Sequence, residues 1–165
     1  MSASAAIAFV GLGANLGDAT ATLREAIVEL DALPVTRLLR ASKLYRTQAW
    51  GDADQPDFVN AVAMLETGLD PRGLLDELLG IERSHGRDRS RERRWGPRTL
   101  DLDLLLHGDL VIDEPGLRVP HPHLHERAFA LLPLLEIAPD AVIPGIGVAR
   151  DAAAGMAADS LQALG

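Results

Sequence analysis

Two aspartates in an apolar segment are the first residues of this sequence that could do chemistry. Asp101 and Asp103 alternate with leucines in the run LDLDLLL of residues 100–106. Because side chains of a strand alternate between its two faces, both carboxylates would share one face, about 7 Å apart. Hard oxygen ligands so placed suit magnesium, which commonly takes one or two carboxylates together with substrate phosphates. Without other phosphate- or metal-binding groups nearby, such a pair would be interpreted simply as the solvated polar face of an amphipathic strand.

The segment just before these aspartates is rich in arginine. Seven arginines and two acidic residues give residues 83–98 a net charge of +5; the whole chain carries −8, so the rest of it carries −13. Guanidinium groups bind phosphate oxygens in a bidentate geometry. Carboxylates for a metal beside arginines for phosphates are the groups that phosphoryl transfer needs. A solvated loop or a nucleic-acid patch is the alternative, and the acidic remainder argues against extended nucleic-acid contact.

Three further motifs are less specific. Trp95-Gly96-Pro97 predicts a rigid turn whose tryptophan either packs on the core or covers a ligand. The histidines of residues 119–125 stand among prolines in an extended segment, which favours a phosphate hydrogen bond over a transition-metal site. The glycines of residues 11–17 resemble a dinucleotide-binding fingerprint, but the third glycine comes one residue late. They predict only a turn after a buried strand.

Length and composition indicate one globular domain. The chain has 165 residues, of which 47% are hydrophobic and 24% charged, enough to bury a core. The absence of cysteine excludes disulfides, thiolate zinc sites and a cysteine nucleophile. Apolar runs fall short of the ~20 residues that span a membrane, and the first residues lack the basic start of a secretory signal. We expect one domain over residues 1–165, in the cytoplasm.

The pattern of apolar residues and turn signals predicts the elements that would position these groups. Strands are expected over residues 7–12, 38–45, 58–65, 99–106 and 110–112. Helices are expected from the Asp18 cap to a stop before Pro34, from the Asp70 cap to a stop at Gly86, and over 126–132, where Pro133 would end or kink the helix. This order favours an α+β, ferredoxin-like sandwich, an antiparallel sheet with helices packed on its faces. The core would cover about residues 7–147, followed by a C-terminal helix over 148–163.

Taken together, the motifs resemble those of the 6-hydroxymethyl-7,8-dihydropterin pyrophosphokinase family of folate biosynthesis. The ten residues from Arg94 to Asp103, RWGPRTLDLD, look like its signature. Supporting matches run in consistent order from about residue 7 to residue 147: residues 11–17, Tyr45-Arg46-Thr47, residues 54–61 (DQPDFVNA), Val119-Pro120-His121 and residues 134–139 (LLEIAP).

The resemblance implies transfer of the pyrophosphoryl group of ATP to the hydroxymethyl oxygen of the pterin, with release of AMP. It implies two Mg²⁺ ions held by Asp101 and Asp103. The catalytic set that it implies is Arg87, Arg98, Asp101 and Asp103. The ATP-binding set is Glu82, Arg87, Trp95, Arg98, His121 and Arg127. The pterin-binding set is Thr47, Trp50, Phe58, Asn60 and Phe129.

Some positions depart from the family pattern. The stretch over residues 86–94 is one residue longer than usual, which leaves open which of Arg89, Arg91 and Arg93 matches the second loop arginine. Pro122 and residues 48–50 also differ from the residues that are usual in this family at those positions. The expected partners are ATP and the pterin, with no nucleic acid and no membrane, and we expect a monomer.

Two other functions fit parts of the pattern. A non-catalytic nucleotide- or RNA-binding module would use the arginine segment alone and would bind polyanions with a steep salt dependence. A two-metal phosphoesterase would use the aspartates with a hydrolytic water and would release phosphate without a pterin.

Overall fold

The computed structural model describes residues 5–47, 57–86, 99–156 and 161–164. The strands are β1 (Ala6–Ala14), β2 (Thr36–Ala41), β3 (Tyr45–Thr47), β4 (Phe58–Thr67), β5 (Asp101–His107), β6 (Ile112–Glu114), β7 (Leu117–Val119), β8 (Val142–Ile143), β9 (Gly147–Val148) and β10 (Gln162–Ala163). The helices are α1 (Ala19–Asp31), α2 (Pro71–Ser84), α3 (Ala128–Ile137) and α4 (Ala149–Ala153), and a 3₁₀ turn covers Leu124–Glu126.

An antiparallel sheet of six strands forms the centre of the described structure. Its order is β10-β3-β4-β1-β5, and β2 also pairs with β4. Two small hairpins, β6–β7 and β8–β9, lie outside this sheet. The predicted ferredoxin-like α+β sandwich is therefore confirmed. Among the described residues, no helix has the length and apolar character that a bilayer crossing requires.

Helices α1 and α2 cover one face of the sheet. Alternate residues of β1, Val10 and Leu12 among them, pack against fully buried leucines of the two helices in one apolar cluster. Both helices begin at predicted caps: the Asp18 carboxylate accepts from the Ala21 N–H at 3.1 Å and that of Asp70 from the Gly73 N–H at 2.8 Å. Such caps satisfy backbone donors that the first helical turn leaves unpaired.

Helix α3 covers part of the opposite face. Its buried residues pack against Phe9, Val62 and Leu105 in a second apolar cluster. The predicted end of the helix at residue 132 is wrong: α3 continues through Pro133 to Ile137. Burial of Leu134 and Ile137 beyond the proline stabilises this part of the helix and offsets the loss of the backbone hydrogen bond that the proline cannot make.

Strand β5 carries a bulge near its middle. Its pairing with β1 passes from Leu104 opposite Val10 to Leu106 opposite Phe9, so Leu105 is an extra residue. Leu104 packs in the first cluster, whereas Leu105 and Leu106 both pack in the second. A bulge changes the alternation of a strand in this way because it shifts the pairing by one residue.

The strand predicted over residues 38–45 is divided in two. Strand β2 ends at Ala41 and β3 begins at Tyr45, although both pair with β4. Between them Ser42 exchanges bonds with Val62: the Ser42 N–H donates to the Val62 carbonyl at 2.9 Å, and the Val62 N–H donates to Ser42 Oγ at 3.0 Å. A side-chain oxygen thus replaces a backbone acceptor and interrupts the ladder.

Two other predicted elements need correction. The strand expected over 110–112 forms instead at Ile112–Glu114, paired with Leu117–Val119. The helix predicted over 148–163 is wrong: the described part of this tail contains the five-residue helix α4 and strand β10. Strand β10 pairs with β3, and the Leu164 N–H donates to the Leu44 carbonyl at 2.8 Å. Pairing at a sheet edge here overrides the helical propensity of the alanine-rich sequence.

Candidate active site

Three central strands bring the candidate residues into one row. The antiparallel register places Gly13 of β1 between Asn60 of β4 and Asp101 of β5. Two residues earlier on β1, Gly11 lies between Val62 and Asp103. Leu102, the residue between the two aspartates, is buried on the opposite face against α1 and α2. The prediction that Asp101 and Asp103 share a face is therefore confirmed.

These rows form the floor of a cleft. Its walls come from β5, the segment after β7 and the start of α3. The lining residues are Gly11, Leu12, Gly13, Asn60, Ala61, Asp101, Asp103, Leu105, His121, Leu124, Arg127, Phe129 and Ala130. Five side chains predicted from the sequence thus line the cleft in addition to Asp101: Asp103, Asn60, His121, Arg127 and Phe129.

Two glycines make room for the cleft, and the sequence analysis did not assign them this role. Gly11 lies within the strand predicted over residues 7–12, whereas Gly13 was expected in the turn after it. Strand β1 continues to Ala14, so the predicted end of the strand is wrong and Gly13 is a strand residue. A Cβ on Gly13 would lie 3.0 Å from Asn60 Oδ1, and one on Gly11 would lie 3.4 Å from Leu105 Cδ1. Alternating glycines at the end of an apolar strand were the signal that could have identified this floor.

Asn60 is oriented by its neighbour on β3. Its Nδ2 donates to Thr47 Oγ1 at 2.9 Å, and both residues are buried. This bond fixes the amide, so that Oδ1 lies above Gly13, where the cleft begins. Phe58 stands two residues earlier on β4, partly buried, and is not among the residues that line the cleft.

His121 is held as a neutral donor. Its backbone N–H donates to the Leu105 carbonyl at 2.9 Å, and its Nδ1 accepts from the His123 N–H at 3.2 Å. With Nδ1 accepting, the proton of the neutral ring is on Nε2. The pKa of His121 is lowered to about 4, mainly by burial and then by the positive charge of Arg127, while the Asp101 carboxylate opposes the shift.

Arg127 and Phe129 come from the start of α3. The guanidinium carbon of Arg127 lies 5.6 Å from the centroid of the Phe129 ring, within the range of a cation–π contact. The contact joins a cationic group and an aromatic surface at one side of the cleft.

Glu82 lies below the cleft rather than along its walls. It is 2% exposed, and its Oε2 accepts from the Leu102 N–H at 2.7 Å. Strand β5 is an edge of the sheet, so Glu82 satisfies an edge donor located between the two aspartates. The carboxylate fixes β5 from the side of α2. The expectation that Glu82 binds ATP stays a prediction.

Four predicted site residues lie outside the described residues: Trp50, Arg87, Trp95 and Arg98. The alternative loop arginines, Arg89, Arg91 and Arg93, lie outside them as well. Within the described ranges, no group of three or more histidine, aspartate or glutamate side chains has a geometry that could hold a metal ion.

Comparison with known proteins identifies the family. The family model described as 7,8-dihydro-6-hydroxymethylpterin-pyrophosphokinase (HPPK) matches residues 9–139. A 2-amino-4-hydroxy-6-hydroxymethyldihydropteridine pyrophosphokinase of Pseudomonas aeruginosa is 49% identical over 136 residues, which cover 82% of this chain and 83% of that protein. One of the same name from Methylorubrum extorquens is 48% identical over 138 residues, covering 84% and 86%.

Solved structures show the same fold. The crystal structure of Plasmodium falciparum HPPK-DHPS wild type matches with a TM-score of 0.65 at 14% identity, over 90% of this chain and 40% of that one. The HPPK-DHPS in complex with substrates matches with a TM-score of 0.68 at 14% identity, over 90% and 43%. This chain therefore spans less than half of those longer proteins.

The fold and the cleft define an α+β protein with carboxylate, imidazole and guanidinium groups around one floor. The chain belongs to the 7,8-dihydro-6-hydroxymethylpterin pyrophosphokinase family. Membership supports the predicted pyrophosphoryl transfer to hydroxymethyldihydropterin in folate biosynthesis, and this family activity implies ATP as co-substrate.

The glycine floor predicts the effect of adding one methyl group. We expect Gly13→Ala to lower kcat/KM for pyrophosphoryl transfer roughly tenfold, because a displaced Asn60 amide no longer matches the substrate. Steady-state kinetics and a thermal melt would measure the change. The control is Gly80→Ala in α2, where the nearest atom would be 3.8 Å away; it should retain activity. Equal activity of the two variants would contradict this role for Gly13.

The environment of His121 predicts its titration. Because the folded pKa, about 4, lies below the ordinary value of 6.5, the neutral ring stabilises the fold fully above about pH 6.5, and this contribution is lost as the pH falls through about 4. An NMR titration of the histidine rings without ligands should show one ring that stays neutral to about pH 5. A His121→Asn variant identifies that signal; a midpoint near 6.5 would contradict the prediction.

Proposed function

We propose that this chain transfers the pyrophosphoryl group of ATP to the hydroxymethyl oxygen of 6-hydroxymethyl-7,8-dihydropterin, with Mg²⁺, and releases AMP. One observation carries the proposal. A hydrogen-bonding amide, Asn60, and two carboxylates, Asp101 and Asp103, occupy opposite sides of one glycine floor in the same cleft. The floor is thus suited to hold a planar acceptor on one side and a metal-bound polyphosphate on the other.

The pterin side is formed by β3, β4 and α3. We assign the edge of the pterin to Asn60, whose amide offers both a donor and an acceptor. Thr47 fixes that amide through the hydrogen bond of 2.9 Å. The Phe129 ring lines the cleft and supplies an aromatic face for stacking. Phe58 and Trp50 complete the proposed pterin-binding set.

The phosphate side is formed by β5, the segment after β7 and Arg127, the residue just before α3. The Nε2–H of His121 donates to a phosphate oxygen without adding a charge, while Arg127 supplies a positive charge at the same cleft. Arg87 and Arg98 would add bidentate contacts to the triphosphate, and Glu82 and Trp95 complete the proposed ATP-binding set. The neutral imidazole limits the repulsion between cationic groups before ATP binds.

Asp101 and Asp103 fit the proposed magnesium site. Their oxygens are hard ligands on one face of a strand, and the aspartates line a cleft that also contains His121 and Arg127. We propose two ions. When bound, magnesium would neutralise charge on the phosphates and lower the pKa of the attacking hydroxyl. The carboxylates orient the polyphosphate, and Glu82 keeps the backbone between them in place.

Positioning rather than covalent catalysis accounts for the reaction in this cleft. The pterin hydroxyl would attack the β-phosphorus as the bond to the oxygen bridging the α- and β-phosphorus breaks; AMP leaves with that oxygen and the hydroxyl proton is released. The residues named above bring the two substrates into line and stabilise the spreading negative charge, which accounts for much of the rate of such transfers. The cytoplasmic location and the monomeric state stay predictions.

The products distinguish this function from its alternatives. Incubation with ATP, Mg²⁺ and 6-hydroxymethyl-7,8-dihydropterin should yield AMP and the pyrophosphorylated pterin, because attack is at the β-phosphorus. Anion-exchange chromatography would separate the nucleotides. ADP as the only nucleotide product would indicate an ordinary kinase, and phosphate release without a pterin would indicate a phosphoesterase.

Removing either carboxylate charge should abolish most of the activity. We expect Asp101→Asn and Asp103→Asn each to lower kcat on the order of 10²–10³, the usual loss for one transition-state electrostatic contact. The control is Asp76→Asn, a change at an exposed aspartate of α2, which should retain the rate. Circular dichroism checks folding. Two folded variants with unchanged rates would remove the metal assignment.

A further inference from the structure

We propose that Tyr45 and Glu136 are a positioning pair that sets the distance between the two walls of the pterin side of the cleft. One wall is β3 with Asn60 beside it, and the other is α3 with Phe129. Neither residue of the pair lines the cleft, so the proposal assigns them no contact with substrate. It rests on the proposed function and adds to it the residues that hold the acceptor site at its working width.

Tyr45 belongs to the same row of the sheet as the floor residues. The register of β3 and β4 places Tyr45 directly opposite Asn60, which in turn is opposite Gly13. Thr47, the residue that orients the Asn60 amide, is two positions further along β3. A shift of Tyr45 along or away from the sheet would therefore shift the partner of Asn60 as well.

Glu136 connects this strand to the helix above it. The Tyr45 hydroxyl donates to Glu136 Oε1, and the Lys43 N–H donates to Glu136 Oε2 at 3.0 Å. Nearby, Arg40 Nη1 donates to the Ile137 carbonyl at 3.1 Å. The C-terminal end of α3 is thus attached by three hydrogen bonds to the segment that contains β2 and β3.

The other end of α3 carries the aromatic wall. Phe129 and Glu136 are seven residues apart, about two helical turns or roughly 10 Å along the axis. Pro133 removes the backbone hydrogen bond to the Phe129 carbonyl. However, Leu131 and Leu134 on either side of the proline are buried in the second apolar cluster and hold the two turns in line. A displacement of one end of the helix is passed to the other through this packing. The position of the Phe129 ring above the floor therefore depends on where Glu136 holds the far end of the helix.

The protonation of Tyr45 suits this role. Burial, the hydrogen bond to Glu136 and the charge of that carboxylate together raise the pKa of Tyr45 to about 12. The hydroxyl thus remains a donor at any pH at which the enzyme would work. Glu136 is exposed, so a lost contact would be replaced by water rather than leave a buried charge. A variant of the pair should therefore remain folded.

Apart from Arg127, which contacts Phe129 and accepts hydrogen bonds from the first turn of α3, the phosphate side is anchored independently of this pair. Asp101 and Asp103 are fixed by β5 and its bond to Glu82, and His121 is fixed by the Leu105 carbonyl. Arg127 precedes the first turn of α3, and its N–H donates to the Leu124 carbonyl at 3.3 Å. Loosening the far end of the helix should therefore affect the pterin more than ATP.

The test separates KM for the two substrates. Tyr45→Phe removes only the hydroxyl, and we expect KM for the pterin to rise about tenfold, the scale for a small misplacement of a binding group, while KM for ATP changes less than about twofold. Glu136→Gln should raise KM for the pterin similarly, because the Tyr45 hydroxyl and the Lys43 N–H donate to different carboxylate oxygens and glutamine replaces one of these acceptors with an NH2 donor. In the double variant the effects should be less than additive, since each change breaks the same contact.

Glu66→Gln is the matched control. Glu66 also joins two elements, since it accepts from Arg37 Nε at 3.1 Å across β2 and β4, but it does not line the cleft. Its KM values should equal those of the wild type. A pterin KM that stays unchanged in both variants of the pair, or that rises together with KM for ATP, would overturn the proposal even if thermal stability fell.

A binding measurement keeps the proposal separate from the reaction. Titration with 6-hydroxymethylpterin, followed by the fluorescence of the ligand, measures the acceptor site without turnover. Weaker pterin binding in Tyr45→Phe than in the wild type would support the pair whatever the products of turnover are. Failure of the wild type to form AMP would contradict the proposed function alone, whereas equal pterin binding in both proteins would contradict the pair alone.

Discussion

The space between the sheet and α3 is filled by side chains at one end and open as the cleft at the other. The size of successive residues on one face of β1 decides where the packed core ends and the cleft begins. Phe9 on that face packs under α3. The next two residues on the same face are Gly11 and Gly13, and there the cleft begins. The groups that line the cleft can meet over its floor because β1 has strands on both sides and offers no side chain at these positions.

This arrangement gives the site a rigid base and separately supported walls. Asn60 and Asp101 cannot change their separation without breaking the ladders on both sides of β1. The groups above the floor are held by other means. The ring of His121 accepts a hydrogen bond from one backbone N–H and the backbone N–H of the same residue donates to a backbone carbonyl, whereas Phe129 is held by a helix that is attached at its far end. Fixed donors and charges of this kind stabilise a developing charge without reorganising.

The features that could be predicted from the sequence are those set by local geometry. Strand alternation was enough to place Asp101 and Asp103 on one face, and cap residues such as Asp70 were enough to start α2. The features that were missed depend on distant parts of the chain. Gly13 remains in a strand because neighbours bond to it on both sides, α3 continues past Pro133 because the residues beyond it are buried, and the tail forms β10 because β3 offers an unpaired edge. Glu82 is buried because an edge donor at Leu102 needs a partner, which no pattern near Glu82 indicates.

The bulge at Leu105 has a consequence for how this strand can vary. It divides β5 into two segments, and the alternation between the two faces of the sheet shifts by one residue from the first segment to the second. The carboxylates lie in the first segment and the leucines that pack under α3 lie in the second. Leu105 itself lines the cleft, but changes in apolar side-chain volume beyond it, at Leu106, can be absorbed by repacking under α3 while the acidic segment keeps its register with β1. Relatives of this chain could therefore exchange hydrophobic residues at one end of β5 over evolutionary time without moving the chemistry at the other.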